Sequence, residues 1–494
     1  MRRAQPQVSA LRVAGAGTAL VGVAALAAFA LVALVHIADN YHVDHVAGAW
    51  MALAAYADDG TLYPPLHDDG VFGGTRYMPL GIVLNAGAAA VSGEYLVSGK
   101  LLALVTVSAL LALVYVLARR LGCERGISVG VVGAVIATFP ALFAATTVYG
   151  DALAVTLQVA AITLVARDTS RRAAVAAGIL AGLAVSAKVT AVWGGGAVLI
   201  WLLVRHRRGA FPCLAAAAAS ALVVLLGTDA LSHGRFHENV LELGGVEGVR
   251  DLLAEAPAKL WELSLASAPG ALLLAPPAVA CVAIAAVRGR LEIVDVALVL
   301  ASVVTIVVMA DVGTGFNHLL DLAVLLPLVI AAAYARSEAI GPRLALVAAL
   351  AAATLASLAD VRQDVHEAAV AAVQRSTPER LRPPALHTTV AAPILSEDPT
   401  IPVQRGARPT ILDSYMLLRV LRREPARRRE LIARLARHEF ATIVLIMDLD
   451  LDDPWWSKSH FGISVARAID RHYRFDRKVP GPVFAYRLYV PRRE

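Results

Sequence analysis

Only three of the 494 residues are cysteine and only five are lysine. Cys123, Cys213 and Cys281 lie near the ends of apolar runs or inside them. Their spacing matches neither a thiolate metal site nor a disulfide framework, so neither organises the fold. They read as small core residues. No P-loop, no dinucleotide-binding glycine fingerprint and no zinc-protease signature occurs, which removes the chemistries those motifs carry. There is no internal repeat, and no low-complexity linker beyond alanine-rich apolar runs. With lysine scarce, the formal charge of +6 comes mostly from arginine. In so apolar a chain that surplus reads as membrane anchoring, not as a nucleic-acid surface.

Apolar residues are plentiful: 58% of the chain, with a mean hydropathy of +0.65. Many apolar runs have the length that crosses a bilayer as a helix. The fold class expected is a mostly α, polytopic membrane helical bundle with a small soluble α/β domain at its C-terminal end. Eleven spans are predicted: Val13–Val35, Tyr95–Leu117, Val129–Ala145, Ala152–Ala166, Ala173–Ser186, Val189–Val204, Phe211–Gly227, Ala266–Val287, Ile293–Ala310, Leu319–Ala335 and Leu344–Ala359. Arg2, Arg3 and Arg12 precede a long apolar run without an evident cleavage site, so it reads as a retained span. Arginine then falls on one side throughout: Arg119 and Arg120, Arg167 to Arg172, Arg205 to Arg208, Arg288 and Arg290, Arg336. The positive-inside rule places that side, with the N-terminus, in the cytoplasm of a multi-pass plasma-membrane protein.

Residues 37–95 form an outer acidic loop. Between Ile37 and Tyr95 stand seven carboxylates (Asp39, Asp44, Asp58, Asp59, Asp68, Asp69 and Glu94) and one basic side chain, Arg76. A long loop without its own regular structure is often functional. The stretch from Met78 to Val91 is apolar but short and reads as an interfacial helix of that loop. A second outer loop, Thr228 to Ser264, carries His233 and His237; at i,i+4 these share a helix face and read as solvated histidines or, less simply, metal ligands.

Residues 1–359 therefore form the membrane domain and 360–494 the α/β domain. The latter shows an arginine-rich helix around Arg419 to Arg437, a buried-strand pattern at Ala441–Met447 and alternation at Val483–Val490. Span parity puts it outside. Its 23 basic against 17 acidic residues point the other way, but long domains translocate largely regardless of charge.

Charges at membrane depth mark function by default. The outer turns gather Asp44, Asp58, Asp59, Arg76, Asp151, Lys188, Asn317, His318 and Asp321. A loop carboxylate suits removal of a proton from an acceptor hydroxyl. Arg76 as a fork and Lys188 as a point charge suit a phosphate. Bland readings stand beside these. Asp44 is also a good N-cap for a helix starting at His45, Asp58-Asp59-Gly60 is a common turn, and Lys188 is placed to snorkel.

The order of these features resembles the GT-C superfamily of polyprenyl-phosphate-sugar-dependent glycosyltransferases, above all its protein mannosyltransferase and aminoarabinose transferase branch. The likeness runs from about Val13 to Ala335. It rests on Asp44 after the first span, Asp59-Gly60-Thr61-Leu62-Tyr63-Pro64, Tyr77-Met78-Pro79-Leu80, and Tyr115 to Arg120. Asp151, Lys188 and the Asn317 to Asp321 opening of a late span extend it. The resemblance implies an inverting transfer with Asp44 as base and substrate contacts from His45, Asp59, Arg76, Tyr77, Tyr149, Asp151, Lys188, Asn317, His318 and Asp321. It implies a polyprenyl-phosphate-sugar donor, an envelope glycan, lipid or protein acceptor, and membrane lipids around the bundle. Some members use a divalent metal such as Mg or Mn and others do not. Several carry paired acidic residues where this chain has Asp44-His45, which leaves the metal open. Two rivals belong to other classes: a transporter or flippase for a lipid-linked or anionic substrate, and a non-catalytic assembly protein of the same fold.

Overall fold

The computed structural model describes residues 5–68, 70–244, 249–311, 313–386 and 392–492. Arg2, Arg3 and Asp69 lie outside the described residues. Among the described residues, seventeen α-helices precede the sheet: α1 (Gln5–Val35), α2 (His45–Asp58), α3 (Pro79–Ser92), α4 (Tyr95–Leu121), α5 (Arg125–Ile136), α6 (Phe139–Thr146), α7 (Asp151–Val165), α8 (Arg171–Ala187), α9 (Trp193–Arg205), α10 (Arg207–Leu231), α11 (Arg235–Leu243), α12 (Val249–Ser267), α13 (Pro269–Val287), α14 (Ile293–Met309), α15 (Leu320–Arg336), α16 (Ile340–Asp360) and α17 (Arg362–Gln374).

Among the described residues, six helical segments are long and apolar enough to cross a membrane: Ala10–Val35, Tyr95–Leu121, Arg207–Leu231, Pro269–Val287, Phe316–Arg336 and Ile340–Asp360. A seventh arises if α5 and α6 count as one span bent by 73°. The bend follows from Pro140, which sits in the first turn of α6 and removes a backbone donor. The predicted spans Ala152–Ala166, Val189–Val204 and Ile293–Ala310 correspond to α7, α9 and α14, apolar helices of 13 to 17 residues. Ala173–Ser186 corresponds to the 17-residue α8. At 1.5 Å per residue these are about 20–25 Å long, short of a typical hydrocarbon core. The Met78 segment is the helix α3, opened by Pro79 and stopped by left-handed Gly93.

Packing is close where side chains are small. A Cβ on Gly133 of α5 would run into Gly22 Cα of α1, so these two helices meet backbone to backbone. Charge separates along the bundle. At one end Arg120 donates to Thr163 O, and Arg336 pairs with buried Asp295. At the other end lie the acidic loop and the openings of α7 and α15.

The sheet has the order β1-β2-β4-β3, with β1 (Ile394–Ser396) parallel to β2 (Thr442–Leu445). β4 (Tyr486–Pro491) runs antiparallel to both β2 and β3 (Tyr473–Val479). Helices α18 (Thr400–Gln404), α19 (Ser414–Arg423), α20 (Pro425–Ala436) and α21 (Ile463–His472) accompany it. The arginine-rich helix predicted across Arg419 to Arg437 is two helices, because Pro425 keeps Glu424 out of helical backbone and opens α20 at its first position. α17 packs on α1, Ala368 and Leu381 belong to the bundle core, and the first strand of the sheet opens at Ile394.

The domain is woven into the acidic loop. Phe72 N donates to Thr410 O at 2.8 Å, Leu412 N donates to Phe72 O at 2.9 Å, and the Phe72 side chain enters the sheet domain's core.

Candidate active site

Asp44 opens α2 as its N-cap. Its Oδ1 accepts from Val46 N at 3.0 Å and Ala47 N at 2.9 Å, satisfying two donors the first helical turn leaves free. The Tyr149 hydroxyl, in the turn before α7, lies 2.9 Å from Oδ1 and 2.7 Å from Oδ2. Burial, and then the neighbouring Asp44 carboxylate, push the Tyr149 phenol well above its ordinary range. It therefore stays a donor. Oδ1 thus carries three donors, whereas Oδ2 has Tyr149 alone among the described residues, which leaves a lone pair for an incoming hydroxyl.

Next to this pair three separate turns meet. Lys188, at the end of α8, donates to Asp151 Oδ1 and lies 3.0 Å from His318 Nδ1. Asn317 Nδ2 donates to the same Asp151 oxygen at 3.1 Å. Asp321, one turn further along, accepts from Trp193 Nε1 at 2.9 Å. Asp151, Lys188, Asn317 and His318 are brought together.

Arg76 pairs with Asp311, at the end of α14. Tyr415 of α19 donates to Asp311 Oδ1 at 3.1 Å, and Gly313 N to the same atom at 2.9 Å. Burial works against ionising Asp311, but Arg76 and these donors outweigh it and hold the carboxyl below its usual range. Tyr77 stacks on Trp50 with ring centroids 5.0 Å apart, and its hydroxyl is 3.3 Å from Asp413 Oδ2. Burial first, and Asp413 second, raise the Tyr77 phenol.

His45 faces the sheet domain. Its ring lies 5.2 Å from that of His460, whose Nδ1 is 2.8 Å from Glu397 Oε1 and 2.7 Å from Ser414 Oγ. Asp59 lies apart from the rest. It caps the far end of α2, about 20 Å of helix away from Asp44, and pairs at the surface with Arg408 at 3.2 Å. His233 and His237 sit exposed around the start of α11. No three His, Cys, Asp or Glu side chains among the described residues gather as a metal site.

Sequence reasoning did not single out Lys100, Lys259, Tyr415, Arg419 or Asp413. Lys100 is fully buried, and its Nζ donates to the carbonyls of His36 at 2.8 Å, Asp39 at 2.6 Å and Tyr41 at 2.9 Å. It fixes the turn that leads to Asp44. The signal was present in the rarity of lysine: three of five, Lys100, Lys188 and Lys259, stand at this end of the bundle.

The bundle, the acidic loop laid over one end and the appended sheet domain together make up a fold that solved membrane-protein structures share. Two crystal structures of ArnT from Cupriavidus metallidurans, an aminoarabinose transferase, share the architecture. The one bound to undecaprenyl phosphate superposes with a TM-score of 0.55 at 12% identity, over 95% of this chain and 97% of that one. The apo form gives 0.56 at 13%, over the same shares. The apo oligosaccharyltransferase of Archaeoglobus fulgidus gives 0.51 at 12%, over 94% of this chain and 74% of that one. No family model and no curated protein matches the sequence.

Proposed function

We propose that this chain is a membrane glycosyltransferase that moves one sugar from a polyprenyl-phosphate donor to a cell-envelope acceptor on the extracytoplasmic face. The acceptor is a glycan, lipid or protein. The observation that carries the reading is the meeting of Asp44 and Tyr149 with the Asp151–Lys188–Asn317–His318 cluster at one end of a GT-C bundle. The acceptor oxygen attacks the anomeric carbon and its proton passes to Asp44 Oδ2. The bond from anomeric carbon to phosphate oxygen breaks, and the electron pair leaves with the polyprenyl phosphate. Attack opposite the leaving group inverts the anomeric centre. Tyr149 orients the carboxylate and stabilises it until the proton arrives. Arg76 and Lys188 face the departing phosphate, Tyr77, His318 and Asn317 line the sugar pocket, and His45 faces the acceptor side. The arginine-rich opposite end supports a cytoplasmic N-terminus and an extracytoplasmic site and sheet domain.

The test is mass spectrometry of envelope glycans in three strains: a deletion, the deletion carrying wild type, and the deletion carrying Asp44→Asn at equal membrane level. Loss of one sugar on deletion, restored by wild type and not by Asp44→Asn, is the expected result. Full restoration by Asp44→Asn removes the base from the mechanism. An unchanged glycan profile on deletion overturns the transferase reading.

A further inference from the structure

The two edges of the sheet differ in what lies beside them. β1 stands next to α18, which packs on α2. β3 is the opposite edge, three strand spacings or about 14 Å away. Several arginines of the sheet domain are paired: Arg423 with Glu242, Arg427 with Glu424, Arg434 and Arg437 with Glu439. Along α21 and β3 the pattern changes. Arg467, Arg471, Arg474 and Lys478 are all exposed, and none makes an ion pair or side-chain hydrogen bond with a described residue. The carboxylates around them are Asp448, Asp470 and Asp476. Asp476 is taken by Arg477, and Asp448 is held by the Arg487 fork at 2.8 and 2.6 Å. Lys478 acts on Asp448 as well, but that charge is already compensated. Asp470 alone is left against the four cations.

A β-bulge between Phe475 and Arg477 shapes this edge. Phe475 pairs with Tyr489 and Lys478 with Arg487, two positions apart on β4. Both side chains therefore lie on the face where Tyr489 joins Val465 and Ile469 of α21 in one core. Without the extra residue, positions three apart would point to opposite faces. The Phe475 ring meets Tyr489 edge-on at 5.7 Å and is still 52% exposed. An open aromatic ring among uncompensated cations matches a sugar that carries an anion. The C–H face of the sugar packs on the ring, and its carboxylate or phosphate meets the arginine forks. A second copy of the same edge is repelled by its like charge. A single ring, opposite the edge that docks on the bundle, suits an extended soluble chain better than a bilayer.

We propose that the α21–β3 edge, through Arg467, Arg471, Arg474, Phe475 and Lys478, binds an extended acidic glycan. The inference rests on the transferase reading and names the chemical class of its acceptor. A chain held at this edge raises the local concentration of acceptor ends at the Asp44 site.

The test titrates the full chain, in phosphatidylcholine nanodiscs, with polygalacturonate for carboxylates and phosphomannan for phosphates. Neutral dextran, polyglutamate and phosphatidylglycerol vesicles are the comparisons. At least one acidic glycan should bind, more weakly as salt rises. Dextran should not bind, and polyglutamate should bind about tenfold more weakly because it brings no sugar ring. Combining Arg471→Gln, Arg474→Gln and Lys478→Gln should weaken the acidic glycan about tenfold. Arg437→Gln, which removes a paired arginine of the same domain, should not. Phe475→Leu should weaken the glycan and leave polyglutamate unchanged. All these side chains are exposed, so melting temperatures should stay near wild type. Unchanged affinity in the triple variant, or an equal loss in Arg437→Gln, overturns the edge. Polyglutamate bound as tightly as the glycans overturns sugar recognition, and vesicles bound more tightly than either glycan make the edge a membrane anchor instead. Each of these leaves the transferase reading standing, since that is read from the envelope glycan profile. An unchanged profile on deletion, with glycan binding intact, overturns the acceptor role and leaves only a binding edge.

Discussion

The Tyr149 hydroxyl bridges both oxygens of Asp44, at 2.9 and 2.7 Å. It ties the first turn of α2 to the turn that opens α7, two elements more than a hundred residues apart in the chain. Asp44 is thus a helix cap and a held carboxylate at once. The two roles separate by substitution. Asn is as good a cap as Asp, so Asp44→Asn should leave the melting temperature near wild type. Sugar transfer should fall by about a hundredfold or more. Tyr149→Phe should reduce transfer less, because the carboxylate loses the hydroxyl that orients it. Thermal melts and transfer rates on the same membranes read both effects.

Lys100 supplies three hydrogen bonds to main-chain carbonyls inside the bundle. Lys100→Met leaves those oxygens without donors. At about 1 kcal/mol or more for each, the loss should amount to roughly 3 kcal/mol. A lower melting temperature in detergent, together with lost transfer, is expected. A melting temperature equal to wild type would show that the turn holds without the lysine.

Gly48 lies in the first turn of α2, against the sheet domain. A Cβ there would strike Thr400 N and lie 3.0 Å from Asp398 Oδ1. Gly48→Val should push α18 off α2 and loosen the domain. Trypsin should then cut after Arg375 faster than in wild type. Equal digestion rates would mean that docking does not depend on this contact.

Two buried histidines set a pH dependence. Burial first, and then Lys100 and His36, hold His42 well below its ordinary value. Burial also lowers His460, with Glu397 opposing. The unfolded chain takes up protons on both as pH falls below about 6.5, and the folded chain does not. The stability is therefore fully present above about pH 6.5. It declines as pH drops toward the folded-state values, by up to about 1.4 kcal/mol per pH unit for each histidine. Melting temperatures between pH 5 and 7.5 should show this slope, and His42→Gln should flatten it.

Much was legible in the chain before any coordinates. The starts of α2, α4, α7, α13 and α16 stand within a few residues of where apolar periodicity and capping residues put them. Asp44, Asp58, Asp59, Arg76, Asp151, Lys188, Asn317, His318 and Asp321 could be separated from the rest of the chain because each is polar and falls on the same side of the bundle by parity. Asp59 was not separable from Asp44 in this way. Both are loop carboxylates, and only the helix between them puts one in the cluster and the other against Arg408.

The sequence by itself determined that this is a helical membrane chain with charge sorted to its two ends and an acidic loop over one of them. Hydrophobic run length and arginine placement act locally, so they can be read without a partner. Only the tertiary structure decided that Asp311 gathers Arg76, Lys259 and Arg419, that the sheet domain reaches His45 and Tyr77, and that Lys188 pairs with Asp151. Those relations join residues far apart in the chain. A charge announces its own presence in a sequence, but whether it is already compensated depends on which side chains the fold sets beside it.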